Sequence, residues 1–260
     1  MGVSSSSSIV CAVIVAVFTA SALLLYKPAF HSASVCSMSE ILSSISSSIQ
    51  SHLGMAPKTK LFYFDARGRA EPIRWIFAYG GQEYEDVRIS HADWPAVKAT
   101  TPNGQLPYLE VDGKALAESL AIARYAARKN GLVGKDDFEA AQADALVDIV
   151  SGAATGLSFL WTEKDPAKLA ELKANFVKVV IQPVLKKLER DLHANNNGEG
   201  FFVGAKPTWA DLYVVNFLDT LAAWDATFLD EYKELKAHSQ RVHELKGIKE
   251  WLLKRPVTAN

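Results

Sequence analysis

Sulfur is missing from most of this chain. Its 260 residues include two cysteines, Cys11 and Cys36, and three methionines, Met1, Met38 and Met55, so none lies beyond residue 55. A four-cysteine zinc site, a disulfide framework, a C-x-x-C redox pair and a cysteine nucleophile are therefore excluded from everything that follows. An excess of charge of either sign is lacking too. Lys and Arg number 28 against 29 Asp and Glu, a formal net charge of −1, which offers no general attraction to nucleic acid or to an anionic membrane surface. Hydrophobic residues at 49% and charged residues at 22% argue against disorder and a coiled coil and for a globular body.

The first 54 residues are nearly free of charge, with 16 serines and only Lys27 and Glu40 as formally charged side chains. Residues 9–26, IVCAVIVAVFTASALLLY, form an uncharged apolar run. As a helix rising ~1.5 Å per residue it would span about 27 Å, enough for a thin bilayer and slightly longer than a signal-peptide core. No Lys or Arg precedes the run, and Lys27 follows it. Membrane anchoring or secretory or organelle targeting is expected, and the lysine favours a cytoplasmic, reducing location for the folded part. Cleavage after Ser32-Ala33-Ser34 is the alternative. Residues 31–53 are Ser-rich and acid-poor, as in a linker or transit-type extension. Residues 1–55 are accordingly a leader, membrane contact is expected only through it, and the fold is sought beyond it.

From residue 56 to 134 the pattern alternates. Residues 60–64 read as a strand and residues 69–79 as a helix closed by Gly80-Gly81. A second strand follows at 83–89, then an irregular helical loop at 91–98. Residues 106–111 and 114–116 form a hairpin around Asp112-Gly113, and a helix over 118–129 ends at Asn130-Gly131. Strands joined by a helical crossover are parallel and the hairpin is antiparallel, which predicts a small mixed sheet. Residues 135–260 show no strand. Helices are predicted over 137–161, 166–193 and 208–224 and in segments of 225–254, with a loop at 195–200. Thr208 and Asp211 have the spacing of a helix cap and are read as folding residues. The fold class is a small α/β domain followed by an all-α domain.

Five runs in this order carry a resemblance: Tyr63-Phe64; Arg67-Gly68-Arg69-Ala70-Glu71-Pro72-Ile73-Arg74; Ala92-Asp93-Trp94-Pro95; Gly104-Gln105-Leu106-Pro107; and Glu118-Ser119-Leu120-Ala121-Ile122-Ala123-Arg124-Tyr125. Together they resemble the cytosolic glutathione S-transferases, most closely the sigma class, which includes glutathione-dependent prostaglandin D synthase. The resemblance covers roughly residues 59–256. It implies a thioredoxin-like first domain, an all-helical second domain, a homodimer, and glutathione as co-substrate in its conjugation to small apolar electrophiles. A glutathione-dependent isomerase, or a non-catalytic ligand-binding protein on the same fold, is the alternative.

The resemblance also implies roles. Tyr63, which alone would read as a core aromatic, donates its hydroxyl hydrogen to the glutathione sulfur. Lowering a thiol pKa of ~8.5 by ~2 units requires about 2.7 kcal/mol, most of which one charge-assisted hydrogen bond supplies. Arg69 stands beside the sulfur as a fixed charge. Leu106, through a cis bond to Pro107, presents its backbone to the cysteinyl amides. Ser119 at a helix N-terminus binds the γ-glutamyl carboxylate, and Glu118 pairs with its ammonium. Trp94 and Lys98, four apart, reach the glycyl end. Gln105 stands where the sigma pattern often has lysine, removing one cation. Phe62 and Phe64 are assigned to the core, and Arg67 and Arg74 to pairs with Glu71 or other surface acids. Ala66, Gly68, Ala154, Leu157, Phe159 and Trp161 are candidates for the electrophile pocket. Asp144 and Asp148 match an acidic pattern that in one branch of the class binds a divalent ion. Ser151-Gly152 replaces its next two acids, so no metal is expected.

Overall fold

Strand β1 (Thr59–Phe64) is flanked on both sides. It pairs in parallel with β2 (Glu85–Ile89) and antiparallel with β3 (Tyr108–Val111), and β3 pairs antiparallel with β4 (Lys114–Ala117), giving the order β2-β1-β3-β4. This is the mixed sheet that the sequence predicts. The computed structural model describes residues 59–157 and 159–258, without the side chains of Leu160 and Trp161. The expected targeting run at 9–26 lies outside them, and among the described residues no helix is long and apolar enough to cross a membrane.

A parallel pair needs a crossover, and helix α1 (Glu71–Gly80) provides it, ended by Gly81 in the left-handed region at φ 61°. The β3–β4 turn places both Asp112 and Gly113 at positive φ, as a two-residue hairpin requires. Beyond β2 the chain forms α2 (Trp94–Val97), and beyond β4 it forms α3 (Ser119–Lys129). Leu61 and Leu109 of the sheet, Ile73, Ile76 and Phe77 of α1, and Ile122 of α3 are completely buried. These apolar positions, falling at strand and helix periods, supply the main driving force.

The helical part comprises α4 (Asp137–Gly156), α5 (Phe159–Thr162), α6 (Pro166–Phe176), α7 (Gln182–Ala194), α8 (Trp209–Trp224), α9 (Lys233–His243) and α10 (Ile248–Lys254). Asp136 and Asp165 cap α4 and α6 by accepting backbone N–H bonds of the first turn. Two predicted helices are interrupted. The one over 137–161 breaks after Gly156, where an added Cβ would lie 2.5 Å from the Phe176 ring. The close approach demands glycine, and glycine is a weak helix former. The one over 166–193 widens into a π-helical turn at Val177–Ile181. Pro183, two residues on, has no N–H to give the preceding turn.

The Thr208–Asp211 cap is present and does more than cap. Asp211 Oδ2 accepts from Thr208 N–H (2.7 Å) and Thr208 Oγ1 (3.0 Å), and Oδ1 accepts from Phe202 N–H (2.8 Å) and contacts His238 Nε2 at 2.9 Å. One buried carboxylate thus ties the preceding loop and α9 to the start of α8.

Glu71 forms a second buried knot. It is 1% exposed, and Arg74, expected at the surface, is completely buried beside it. Arg74 Nη1 donates to Glu71 Oε2 (3.3 Å) and Arg74 Nε to Asp86 Oδ1 of β2 (3.1 Å). Glu71 Oε1 accepts from the indole of Trp75 (3.1 Å), the indole of Trp251 (2.9 Å) and Arg255 Nη1 (2.9 Å). The sequence pattern i, i+3 identified the Arg74–Glu71 pair but not its depth, because pair spacing carries no information about what packs over it.

Burial pushes the Glu71 carboxyl up, but hydrogen bonds from Trp251 and Arg255 and the charges of Arg74 and Arg255 outweigh it and hold the group below its ordinary value. A carboxyl lowered on folding stabilises the protein above its unfolded pKa of ~4.3 and loses that contribution as pH falls through the folded value. Glu71→Gln is expected to cost about 3 kcal/mol at pH 7, since it leaves buried Arg74 with Asp86 as its one remaining counter-charge and removes that of Arg255. Urea unfolding followed from pH 7 to 3 checks this: the gap between parent and variant should narrow only below about pH 4.3.

Candidate functional site

Register places one end of the sheet in charge of the candidate residues. Phe62 pairs with Tyr108 and Tyr63 with Arg88, so the C-terminal end of β1 lies beside Leu106-Pro107 at the start of β3 and beside the exit of β2. Tyr108 pairs with Ala117, which brings Glu118 and Ser119 out at the same edge. Tyr63, Trp94, Leu106, Pro107, Glu118 and Ser119 all leave the sheet from this edge, although they span more than fifty positions of sequence.

Tyr63 is half-buried, and its hydroxyl oxygen accepts from the Arg69 backbone N–H at 3.2 Å. Among the described residues the hydroxyl proton has no acceptor, so it is free to be donated. Gly68, at φ 40°, makes this approach possible: a Cβ there would lie 2.6 Å from Tyr63 Oη. Beneath the ring, the Arg74 guanidinium carbon is 6.0 Å from its centroid, a cation facing an aromatic face. Arg74 Nη1 also donates to Ala66 O (2.8 Å) and Arg67 O (3.4 Å), fixing the loop between β1 and α1. Arg69 itself is exposed.

The Leu106–Pro107 bond is cis, as the resemblance implies. Neither the N–H nor the C=O of Leu106 has a backbone partner among the described residues, leaving both able to receive an extended peptide. Ser119 is the first residue of α3, where unpaired N–H groups and the helix dipole favour an anion. Glu118 before it adopts φ 71°, a left-handed conformation costly to a residue with a Cβ, and its Oε1 accepts from Asn103 Nδ2 at 3.3 Å. Trp94 is half-buried, Lys98 and Gln105 are exposed, and the Lys98 N–H bonds to Trp94 O, which preserves the predicted four-residue step.

Some placements differ from expectation. Phe64, assigned to the core, is half-buried and stacks on His91 (4.6 Å) and edge-on to Trp94 (5.4 Å), forming an aromatic rim that strand alternation alone did not reveal. Leu157 is 3% exposed and belongs to the hydrophobic core, so it presents no pocket surface. Ala66 and Ala154 are half-buried and Gly68 is exposed. Phe159 packs edge-on against Phe176 at 5.4 Å, and the Trp161 side chain lies outside the described residues. Asp144 forms a 2.8 Å ion pair with Arg124.

Tyr213 on α8 was missed. Burial raises its phenol above the ordinary value, Ser151 and the charge of Arg69 act in the opposite sense, and Asp148 raises it further. Helices α4 and α8 therefore bring Ser151 and Asp148 to Tyr213, which also lies in electrostatic reach of Arg69. The signal was available as Tyr213, Asn216 and Thr220, polar residues recurring every three or four positions on a mostly apolar helix.

Comparison with known proteins follows this geometry. Residues 59–128 match the family description "Glutathione S-transferase, N-terminal domain" and residues 154–255 match "Glutathione S-transferase, C-terminal domain". The chain is 42% identical over 203 residues to a hematopoietic prostaglandin D synthase of Gallus gallus, covering 78% of this chain and 99% of the relative. It is 43% identical over 202 residues to probable glutathione S-transferase 7 of Caenorhabditis elegans, covering 76% and 97%. A crystal structure of monomeric Na-GST-3, a glutathione S-transferase of Necator americanus, superposes with a TM-score of 0.68 at 39% identity, covering 78% of this chain and 99% of that one.

The Gly68 contact yields a stability test. Gly68→Ala is expected to cost about 1–3 kcal/mol, combining an unfavourable φ with a clash. Exchange of the Arg69 amide hydrogen should quicken. Gly113→Ala, also at positive φ but facing open space, should lose only about 1 kcal/mol and leave that amide unaffected. Urea unfolding and hydrogen exchange measure both.

Proposed function

Because this chain belongs to the glutathione S-transferase family, we propose that Tyr63 is the residue that holds the sulfur of glutathione as a thiolate for attack on small apolar electrophiles. The chain is a glutathione transferase with glutathione as co-substrate. The observation that carries the role of Tyr63 is its hydroxyl: the oxygen is engaged by the Arg69 N–H while the proton is uncommitted. A phenol whose oxygen already accepts a hydrogen bond is a stronger donor, because bonds in a chain polarise one another.

The remaining residues follow from the sheet edge. Leu106 pairs its N–H and C=O with the central amides of the tripeptide, and Ser119 with the N–H groups opening α3 binds the γ-glutamyl carboxylate. The strained Glu118 directs its carboxylate to the ammonium. Trp94, Lys98 and Gln105 hold the glycyl end, with Lys98 as the cation there. Arg69 polarises the electrophile. Ala66, Gly68, Ala154, Phe159 and Trp161 are the proposed walls of its pocket, with Tyr213 added, and no metal takes part.

We further propose sigma-class membership, a division of the chain at residues 55 and 134, homodimeric assembly, and membrane anchoring or targeting through residues 9–26. The solution mass tests assembly, the relevant neighbour being described as monomeric. Sequencing the mature N-terminus tests the leader. A narrower isomerase reading is supported by the relative named as a prostaglandin D synthase, and assay for prostaglandin D formation tests it.

The expected outcome for Tyr63→Phe is a rise of about 1–2 units in the apparent pKa of bound glutathione, equal to the loss of one charge-assisted hydrogen bond. The ultraviolet thiolate band reads this directly, and kcat/KM with an aryl halide should fall by about ten- to a hundredfold. An unchanged thiolate titration would remove Tyr63 from the mechanism.

A further inference from the structure

Glu118 carries a carboxylate that the fold itself does not use. Its backbone C=O accepts the first bond of α3, from the Ile122 N–H at 2.9 Å. The side chain, although it stands at the N-cap position, accepts nothing from the first turn, where a capping group commonly bonds. It also makes no ion pair among the described residues. One contact sets its direction: Oε1 accepts from Asn103 Nδ2 at 3.3 Å, across 15 positions of sequence.

Asn103 is presented by a braced turn. Pro102 supplies the fixed φ of the turn's second position, the Gly104 N–H closes on Thr101 O at 3.4 Å, and Gly104 takes φ 62°. Thr101 is buried, and its hydroxyl (2.8 Å) and N–H (3.3 Å) both bond Lys98 O. Gln105 and Leu106 follow directly. This turn therefore links the chain entering Leu106 to the start of α3.

We propose that Asn103 is a positioning residue that sets which thiols the sheet-edge site accepts. By holding Oε1 it turns the second carboxylate oxygen of Glu118 to a free ammonium at the γ-glutamyl end, so thiol peptides bearing that ammonium are preferred. The proposal rests on the reading of Glu118 as the ammonium's partner. A neutral amide orients the acid without adding positive charge, and the whole attraction of the carboxylate is left for the ligand. Lysine or arginine in its place would compete for the acid and repel the ammonium. Both Asn103 and Glu118 are exposed. An untethered glutamate there would lose rotamer freedom on binding, a cost that the Asn103 bond has already met in the free protein.

Calorimetric titration of the full chain with glutathione and with glutaryl-cysteinyl-glycine, the same peptide with hydrogen in place of the ammonium, tests this. Asn103→Leu, similar in size but without a donor, is expected to weaken glutathione about three- to tenfold. The affinity of the analogue should not change, and the KM for glutathione should rise while kcat with an aryl halide holds. In a Glu118→Gln background most of the effect of Asn103→Leu should disappear. Comparing two ligands on one protein cancels any general disturbance of the turn. Equal weakening of both ligands, or no change in either, would overturn the proposal. If Glu118→Gln alone erases the preference for glutathione and Asn103→Leu preserves it, the ammonium site stands and the role of Asn103 falls. A parent chain that binds no glutathione would remove the transferase reading and this proposal together.

Discussion

A guanidinium with no exposed surface organises the end of this molecule that carries Tyr63. Arg74 reaches from α1 to β2 through Asp86, to its own helix through Glu71, and to the loop above through Ala66 and Arg67. A cation so deep is tolerated only where hydrogen bonds and counter-charges replace lost water. Here the counter-charges come from Glu71 and Asp86, and the two carbonyl partners, Ala66 and Arg67, belong to the loop between Tyr63 and Arg69. The Tyr63 hydroxyl meets the Arg69 amide because the loop between them is held from below, and Gly68 leaves room for the ring.

Division of labour follows from where sulfur is absent. Beyond residue 55 the chain has no thiol of its own, so the nucleophile arrives with the co-substrate and the protein supplies only orientation and acidity. One edge of a mixed sheet suffices for that. Strand ends and a helix N-terminus present backbone donors and acceptors, the groups that the proposed function uses to hold a peptide-like molecule without a large set of specialised side chains.

Much of this was legible in the sequence because it is local. Apolar periods gave the strands and α1, Asp112-Gly113 gave the hairpin, and Thr208 with Asp211 gave the start of α8. The cis bond at Pro107 and the ligand contacts came from resemblance instead, since a Leu-Pro pair has no local signature for either isomer. What escaped depends on distant partners. The depth of Glu71 and Arg74 rests on Trp251 and Arg255, the break at Gly156 on Phe176, and the backbone of Glu118 on a conformation that no residue type announces. Phe64 left the core for the rim because His91 and Trp94, on a different segment, offered their rings.

The Glu71 clamp has a bearing on biosynthesis. Its carboxylate and the Arg255 guanidinium are 184 positions apart in the chain, and pairing across so long a loop must wait until nearly all the intervening residues have been made. On the ribosome, the first helix of the α/β part emerges with Glu71 bonded only within its own helix, to Arg74 and Trp75, until α10 supplies Trp251 and the residue after it, Arg255, follows. The sheet can assemble early, but the helix that follows the Tyr63–Arg69 loop gains the bonds of Trp251 and Arg255 to Glu71 only after the whole helical part has been made.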